Sequence, residues 1–239
     1  MPSPPSQLLD ALRHAGRISF LTGAGMSAES GVPTFRDAQT GLWSRYSPEE
    51  LATPQAFERD PVTVWKWYRW RRELVSRAQC HAGHRAIAGF EQRHPSVSII
   101  TQNVDGLHQK AGSTNVVEFH GSLLRDRCHD CGNEMPASEA LEPPRCEKCG
   151  GMMRPAVVWF GETIPSRALA DADTACNTEL LLIVGTAGAV HPAAGLAELA
   201  AQRGAKIAVI NTEATAIDHL ADWQWRASAS AMPSLLDQA

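Results

Sequence analysis

A short apolar run, Ile18 to Thr22, breaks off into Gly23-Ala24-Gly25, and this junction restricts the fold more than any other stretch of the chain. Ile, Phe and Leu within five residues read as a strand, and the paired glycines let the backbone turn with no side chain in the way. With Ala28 the segment fits the pattern G-x-G-x-x-G/A, in which main-chain N–H groups and a helix N-terminus face a pyrophosphate. The usual continuation, a second strand ending in an acid within about 30 residues, is missing. Gly31-Val32-Pro33-Thr34-Phe35-Arg36-Asp37 follows instead. Its glycine and proline exclude a long helix and leave an irregular loop that carries an aromatic, a guanidinium and a carboxylate. Such a loop beside a phosphate site points to catalysis or cofactor binding.

The rest of the chain alternates strands with helices. Leu8, Leu9 and Leu12 share one helical face that ends at Gly16. Val97 to Thr101, Val116 to Phe119, Pro155 to Phe160, Leu180 to Val184 and Lys206 to Ile210 are strand-like, and Pro192 to Gln202 is alanine-rich helix. This alternation predicts an α/β fold with a mostly parallel sheet covered on both faces. Two segments break the pattern. From Ala38 to Gln79 the chain gathers four of its seven tryptophans and a cluster of basic residues, with Ser47-Pro-Glu-Glu50 as a helix start. Asp60-Pro61 supplies an N-cap and a proline at the first helical position for a helix to about Ala78. The second break, Cys128 to Cys149, is rich in polar residues, glycine and proline.

That second segment holds Cys128-x2-Cys131 and, fourteen residues on, Cys146-x2-Cys149. Two knuckles of this spacing bring four thiolates around one Zn2+ and leave no position open for water or substrate, so the metal is expected to be structural. His129, inside the first knuckle, is expected to be exposed rather than a ligand, and Cys80 and Cys176 read as small core residues. The net charge of −4 does not favour nucleic acid or anionic membrane as partners. No apolar run approaches the ~20 residues of a membrane span, and the N-terminus shows no secretory signal. A cytoplasmic protein is expected.

Polar turns follow several strands. Gln102-Asn103-Val104-Asp105-Gly106 offers two amides and a carboxylate suited to ribose hydroxyls and a carboxamide, and equally fits a plain Asn/Asp turn closed by glycine. His120, after Glu118-Phe119, sits at a strand end beside Gly121, a position suited to a general base. Gly185-Thr186-Ala187-Gly188 is a second phosphate-loop candidate, and Asn211-Thr212-Glu213 is placed to hold adenosine hydroxyls. Strand ends share one rim in open α/β sheets, where ligands bind.

The segments GAGMSAESGVPTFRD, TQNVDGLH, FHGS, the paired CxxC knuckles, VVWFGE, VGTAGAVHPAAGL and VINTEAT stand in the order and spacing of the sirtuins, NAD-dependent protein-lysine deacylases, which the chain resembles from about Leu8 to Leu236. The resemblance implies a Rossmann-type large domain formed by 1–37, 80–122 and 156–239. It also implies a small domain made of a helical insertion, 38–79, and a zinc-binding insertion, 123–155. NAD and the acyl-lysine peptide would meet between them. It assigns Gly23, Ala24, Gly25, Ala28, Phe35 and Arg36 to the pyrophosphate and cofactor loop, and Gln102, Asn103 and Asp105 to the ribose and nicotinamide pocket. His120 becomes the base, with Asn103 and Asp105 sharing the catalytic centre. Val158, Phe160 and Glu162 become the loop that pairs with the peptide main chain, and Gly185, Thr186, Asn211 and Glu213 the adenosine end. Ala187 and Arg226 depart from the family pattern, as does Ser228, which replaces an alanine among the cofactor contacts. The implied products are nicotinamide, deacylated lysine and 2′-O-acyl-ADP-ribose. A monomer is expected.

Three readings compete on sequence: the deacylase, an ADP-ribosyltransferase using the same NAD cleavage, and a non-enzymatic NAD-sensing module. The peptide-pairing loop favours the first over the second, and the presence of His120, Asn103 and Asp105 argues against the third. For the acyl group the informative residues are Tyr68 and Arg71, at i and i+3 on one helix face. A phenol and a guanidinium there can converge on one carboxylate, or Arg71 can belong to a solvated face with Arg69 and Arg72. Tyr-x-x-Arg within LATPQAFERDPVTVWKWYRWRREL resembles the class III sirtuins, which accept succinyl- and malonyl-lysine.

Overall fold

The computed structural model describes residues 3–33 and 46–239. Among the described residues nine strands form two sheets: β1 (Ile18–Thr22), β2 (Val97–Thr101), β3 (Val116–Glu118), β4 (Gly121–Cys128), β5 (Glu134–Pro136), β6 (Met153–Val157), β7 (Leu180–Val184), β8 (Lys206–Ile210) and β9 (Trp223–Trp225). The main sheet has the order β3-β2-β1-β7-β8-β9 and every pairing in it is parallel. A parallel strand buried on both faces needs apolar residues at successive positions, and β1 and β7 are buried at all five positions.

The side chains of these strands separate into two cores by parity. Ile18, Phe20, Leu180, Leu182 and Ala208 face the helices Ser6–His14 and Ala82–Arg93 and the C-terminal turn around Met232, Leu235 and Leu236. Leu21, Leu181, Ile183 and Val209 face the helices Ser166–Ala175 and Gly195–Gln202. The predicted α/β sheet is therefore present with six strands, but the run expected at Pro155 to Phe160 lies in the other sheet as β6, and the sixth place is taken by β9, whose Trp-Gln-Trp is too short to stand out.

The chain leaves β1 in one direction to β2 and β3, and continues on its other side with β7, β8 and β9. The crevice outside the carboxyl ends of β1 and β7 is thus a topological switch point. Beside it lies a third core. Leu51, Phe57, Val64, Trp67 and Tyr68 from the 46–77 helices pack on Leu123, Val157 and Trp159, with Val104 against them. The helix Pro61–Arg77 is capped by Asp60, whose carboxylate accepts the Thr63 N–H, and has proline in its first turn, as its sequence predicts. Ser47 and Glu50 exchange the expected capping bonds, at 2.8 and 3.2 Å.

The second sheet is antiparallel, β5-β4-β6, and its strands β4 and β6 reach just outside the predicted 123–155 insertion. Arg72 binds this sheet to the helical segment by donating to the Leu123 carbonyl at 2.8 Å and to the fully buried Asp126 at 2.5 Å. Among the described residues, no helix is long and apolar enough to cross a membrane.

Candidate active site

Three loops meet at the switch point. Gly23, Gly25 and Gly185 approach so closely that side chains are excluded. A Cβ on Gly23 would lie 2.6 Å from the Thr186 Cβ, and one on Gly25 would lie 2.8 Å from the Gly185 Cα. Gly185 also has φ +62°, a left-handed conformation that glycine adopts without penalty. The two loops therefore meet backbone to backbone, with Gly25 N–H bonded to the Gly185 carbonyl at 2.8 Å, the tight glycine packing that a dinucleotide crevice requires. Thr186 accepts from Gln102 Nε2 at 3.1 Å, joining the loop after β7 to the one after β2. Ala28 lies on the exposed side of its turn, so it does not pack helix on strand as the glycine pattern predicts. Phe35 and Arg36 lie outside the described residues.

The loop after β2 faces the first glycines. Asn103 donates through Nδ2 to the Gly23 carbonyl at 2.9 Å and to Ser27 Oγ at 3.0 Å. Ser27 in turn donates to Asp105 at 2.7 Å, and the other carboxylate oxygen of Asp105 accepts the Leu107 N–H at 2.9 Å. Gly106 takes φ +71°, so the local turn and the convergent polar site coexist. Burial raises the Asp105 pKa, against the pull of its hydrogen bonds and of Arg71. Ser27 is the member that sequence reasoning missed. One serine in a glycine-rich loop carries no signal until the fold sets it between the amide and the acid.

His120 follows β3, and its Nδ1 lies 3.2 Å from the Gln102 carbonyl oxygen. A carbonyl can only accept, so the proton of the neutral ring sits on Nδ1 and Nε2 keeps its lone pair. Burial lowers the His120 pKa and the carbonyl bond opposes this, so a neutral base is favoured near neutral pH. Toward the adenosine end, Asn211 Nδ2 donates to the Glu213 carbonyl at 2.8 Å. Arg226 holds the same carbonyl at 3.2 Å while pairing with Asp218. Ser228 bonds Ser230, at 3.1 Å between hydroxyl oxygens.

The loop after β6 is tied to its neighbours through main-chain and side-chain bonds. The N–H of Val158 bonds the His120 carbonyl and that of Phe160 bonds Ala52, each at 2.9 Å, so neither donor is left for a peptide. The Glu162 carboxylate turns inward and accepts from the Trp159 N–H at 2.8 Å, from Arg127 at 3.0 and 3.1 Å, and from Arg154 at 2.5 Å. It braces the loop from within. On the neighbouring helix, Tyr68 is fully buried and Arg71 half-buried, with its guanidinium 5.9 Å from the Tyr68 ring centroid and 5.1 Å from that of Trp67. The two side chains therefore share one face, as their spacing predicts.

The four knuckle cysteines place their sulfurs within 4.8 Å of one another, with Cys128 to Cys149 at 3.4 Å and Cys131 to Cys146 at 3.7 Å. A regular tetrahedron with Zn–S of ~2.3 Å has edges of about 3.8 Å, so these residues fit one zinc ion. No disulfide competes, since all six cysteines are free. His129 is not exposed as expected. It is half-buried against Phe57, ring centroids 5.3 Å apart, because the knuckle sits directly on the helical segment.

Comparison with known proteins agrees with this geometry. The pattern that describes the Sir2 family matches residues 23–192. An NAD-dependent protein deacylase of Pyrobaculum aerophilum is 51% identical over 216 residues, 89% of this chain and 86% of that protein. A Sir2 homologue solved with NAD superposes with a TM-score of 0.92 at 44% identity, over 98% of this chain and 93% of the other. A Sir2 homologue variant bound to 2′-O-acetyl-ADP-ribose gives 0.90 at 44% identity, over 98% and 95%. The matched length spans nearly all of the chain, and the chain belongs to the Sir2 family.

Proposed function

We propose that the chain is an NAD-dependent protein-lysine deacylase that releases nicotinamide and 2′-O-acyl-ADP-ribose and favours acyl groups ending in a carboxylate. The observation that carries the catalytic part is His120. Its tautomer is set by the Gln102 carbonyl, on the same loop that binds Gly23 and Ser27 through Asn103. When bound, NAD supplies an electrophilic ribose carbon and a nicotinamide leaving group. Gly23, Gly25 and Gly185 let the two loops close together beside the pyrophosphate. Asn103 and Asp105, linked through Ser27, form a fixed polar wall for nicotinamide and its ribose. His120 Nε2 withdraws a proton from a ribose hydroxyl. The cysteine knuckle has no catalytic share; it secures the β5-β4-β6 sheet.

In this reading the parallel-sheet body (1–37, 80–122, 156–239) and the unit built from 38–79 and 123–155 form the two walls of the substrate cleft. Acyl preference rests on Tyr68 and Arg71, which lie on one helix face in reach of a common anion. Six free cysteines are in keeping with a reducing cytoplasm, and a monomer is the working state proposed. Nicotinamide release from acetyl-, malonyl- and succinyl-lysine peptides tests the whole reading. Activity is expected on all three with kcat/KM highest for succinyl. Arg71→Met is expected to reduce the succinyl-to-acetyl ratio about 10- to 150-fold, since a hydrogen bond to a charged group is worth ~1.5–3 kcal/mol. Absence of NAD-dependent release on every peptide would refute the activity, and a wild type that prefers acetyl-lysine would refute the specificity alone.

A further inference from the structure

The Tyr68 hydroxyl accepts a hydrogen bond from the Trp159 indole N–H at 2.8 Å. Indole N–H only donates, whereas a phenol has one proton and two lone pairs. The bond therefore occupies a Tyr68 lone pair and leaves the phenol proton to find its own acceptor. Among the described residues Trp159 is the hydroxyl's sole hydrogen-bond partner. Tyr68 is 0% and Trp159 2% exposed, so bulk water does not answer for the missing acceptor, and a buried donor without one is costly. Burial lifts the Tyr68 pKa to about 12, so the proton stays in place at any working pH.

Trp159 is itself held rigidly. Its backbone N–H is bound by Glu162. The Arg154 guanidinium lies 3.7 Å over its ring, and Phe57 packs beside it at 5.4 Å between centroids. Arg71 stands on the Tyr68 side of the helix and interacts electrostatically with both Tyr68 and Asp105, so this corner lies between the helical wall and the nicotinamide loop. Two donors meet there, one phenolic and one guanidinium.

We infer that Trp159 is a positioning residue for acyl specificity: by filling the acceptor side of the Tyr68 hydroxyl it turns the O–H proton toward the acyl tail, and so selects tails that end in acceptor-only groups. A carboxylate satisfies both donors. A terminal carboxamide of the same shape offers one oxygen and brings N–H groups that meet other donors. Trp159 thus extends the anion pocket formed by Tyr68 and Arg71, and the inference rests on the carboxylate preference proposed above.

The test compares kcat/KM for succinyl-, succinamoyl- and acetyl-lysine peptides in wild type, Trp159→Phe, Tyr68→Phe and the double variant. Phe keeps an aromatic ring under Arg154 and removes the N–H together with the second ring of the indole, a packing loss that falls on all three peptides alike and cancels in their ratios. Trp159→Phe is expected to lower the succinyl-to-acetyl ratio about tenfold, mainly through KM, and to shrink the preference for succinyl over succinamoyl. The double variant should lose no more of the ratio than Tyr68→Phe alone, because Trp159 acts through that hydroxyl. An unchanged ratio in Trp159→Phe, equal losses on all three peptides, or additive losses in the double variant would each overturn the inference while the anion pocket stands. Should Trp159→Phe fail to fold, Tyr68→Phe decides alone: a retained preference for succinyl over succinamoyl overturns the role given to the phenol proton. A wild type with no preference for succinyl-lysine removes the pocket itself, and this inference with it.

Discussion

Lowering the pH should unfold this protein from beneath its cofactor loops. His81, His84 and His108 are stacked there, with ring centroids 4.3 and 5.2 Å apart. His84 is fully buried and neither of its ring nitrogens has a hydrogen-bond partner in the structure; Nδ1 of the buried His108 has none either. Burial, helped by the neighbouring histidines, pushes the His84 pKa down to about 2 and that of His108 to about 4, from an ordinary 6.5. Both are therefore neutral in the folded protein well below the pH at which the unfolded chain protonates them. The unfolded state binds the extra protons, so stability is at its full value above pH 6.5 and falls as the pH drops toward 4. For His108 alone the gap between about 4 and 6.5 is worth about 3 kcal/mol. Two such groups give a slope of up to about 2.7 kcal/mol per pH unit between pH 6 and 4, a large share of the 5–15 kcal/mol typical of a domain. Urea unfolding at a series of pH values, with zinc kept saturating, measures this slope. His84→Leu and His108→Gln should each reduce it by about one proton, while carboxylate contributions remain common to all proteins. Stability that is flat from pH 7 to 5, or a slope unchanged in both variants, would refute the reasoning.

Two further outcomes follow from the site. His120→Ala should leave NAD affinity near normal in calorimetry and lower kcat about 10²- to 10⁴-fold, the usual worth of a positioned base. Because burial lowers the His120 pKa, the acid limb of wild-type kcat/KM should lie below pH 6.5. Cys128→Ser or Cys146→Ser should lower bound zinc and Tm together, and a metal-free variant with wild-type Tm would show that the knuckle does not depend on zinc.

The parts legible in the sequence were those where one physical requirement dominates. Strands buried on both faces must be apolar throughout, so β1, β2, β7 and β8 stood out, as did the helix marked by Asp60-Pro61. Paired knuckles show in the spacing of four cysteines because the metal alone sets it. Elements with mixed duties were hidden. Strand β4, Gly-Ser-Leu-Leu-Arg-Asp-Arg-Cys, mixes core and ion-pair positions and shifts register between Ser122 and Asp126, so no clean alternation survives. Glu162 is assigned to the peptide-pairing loop by the family resemblance alone, and its bonds to two arginines and the Trp159 N–H involve distant residues that no local pattern announces. Ser27 and His129 acquire their positions only from elements far away in the chain.

The loop after β6 shows how the two walls of the cleft are made to agree. Its residues bond the catalytic strand end through Val158 and His120, and the helical segment through Phe160 and Ala52. They reach the helix Pro61–Arg77 through Trp159 and Tyr68, and the antiparallel sheet through Glu162 and Arg127. A loop with one such anchor would slide as the sheets moved. Four anchors to four different elements tie its geometry to that of His120 on one side and Tyr68 on the other. Burying Arg154 and Glu162 costs desolvation that a pair of apolar side chains would avoid. Among directional groups, however, only a carboxylate shared by two guanidinium groups and a backbone N–H fixes the orientation of the Trp159 ring as well as its position. Under the specificity proposed above, orientation is what the Tyr68 hydroxyl would read, so the polar cluster behind the loop would belong to substrate selection as much as to the fold.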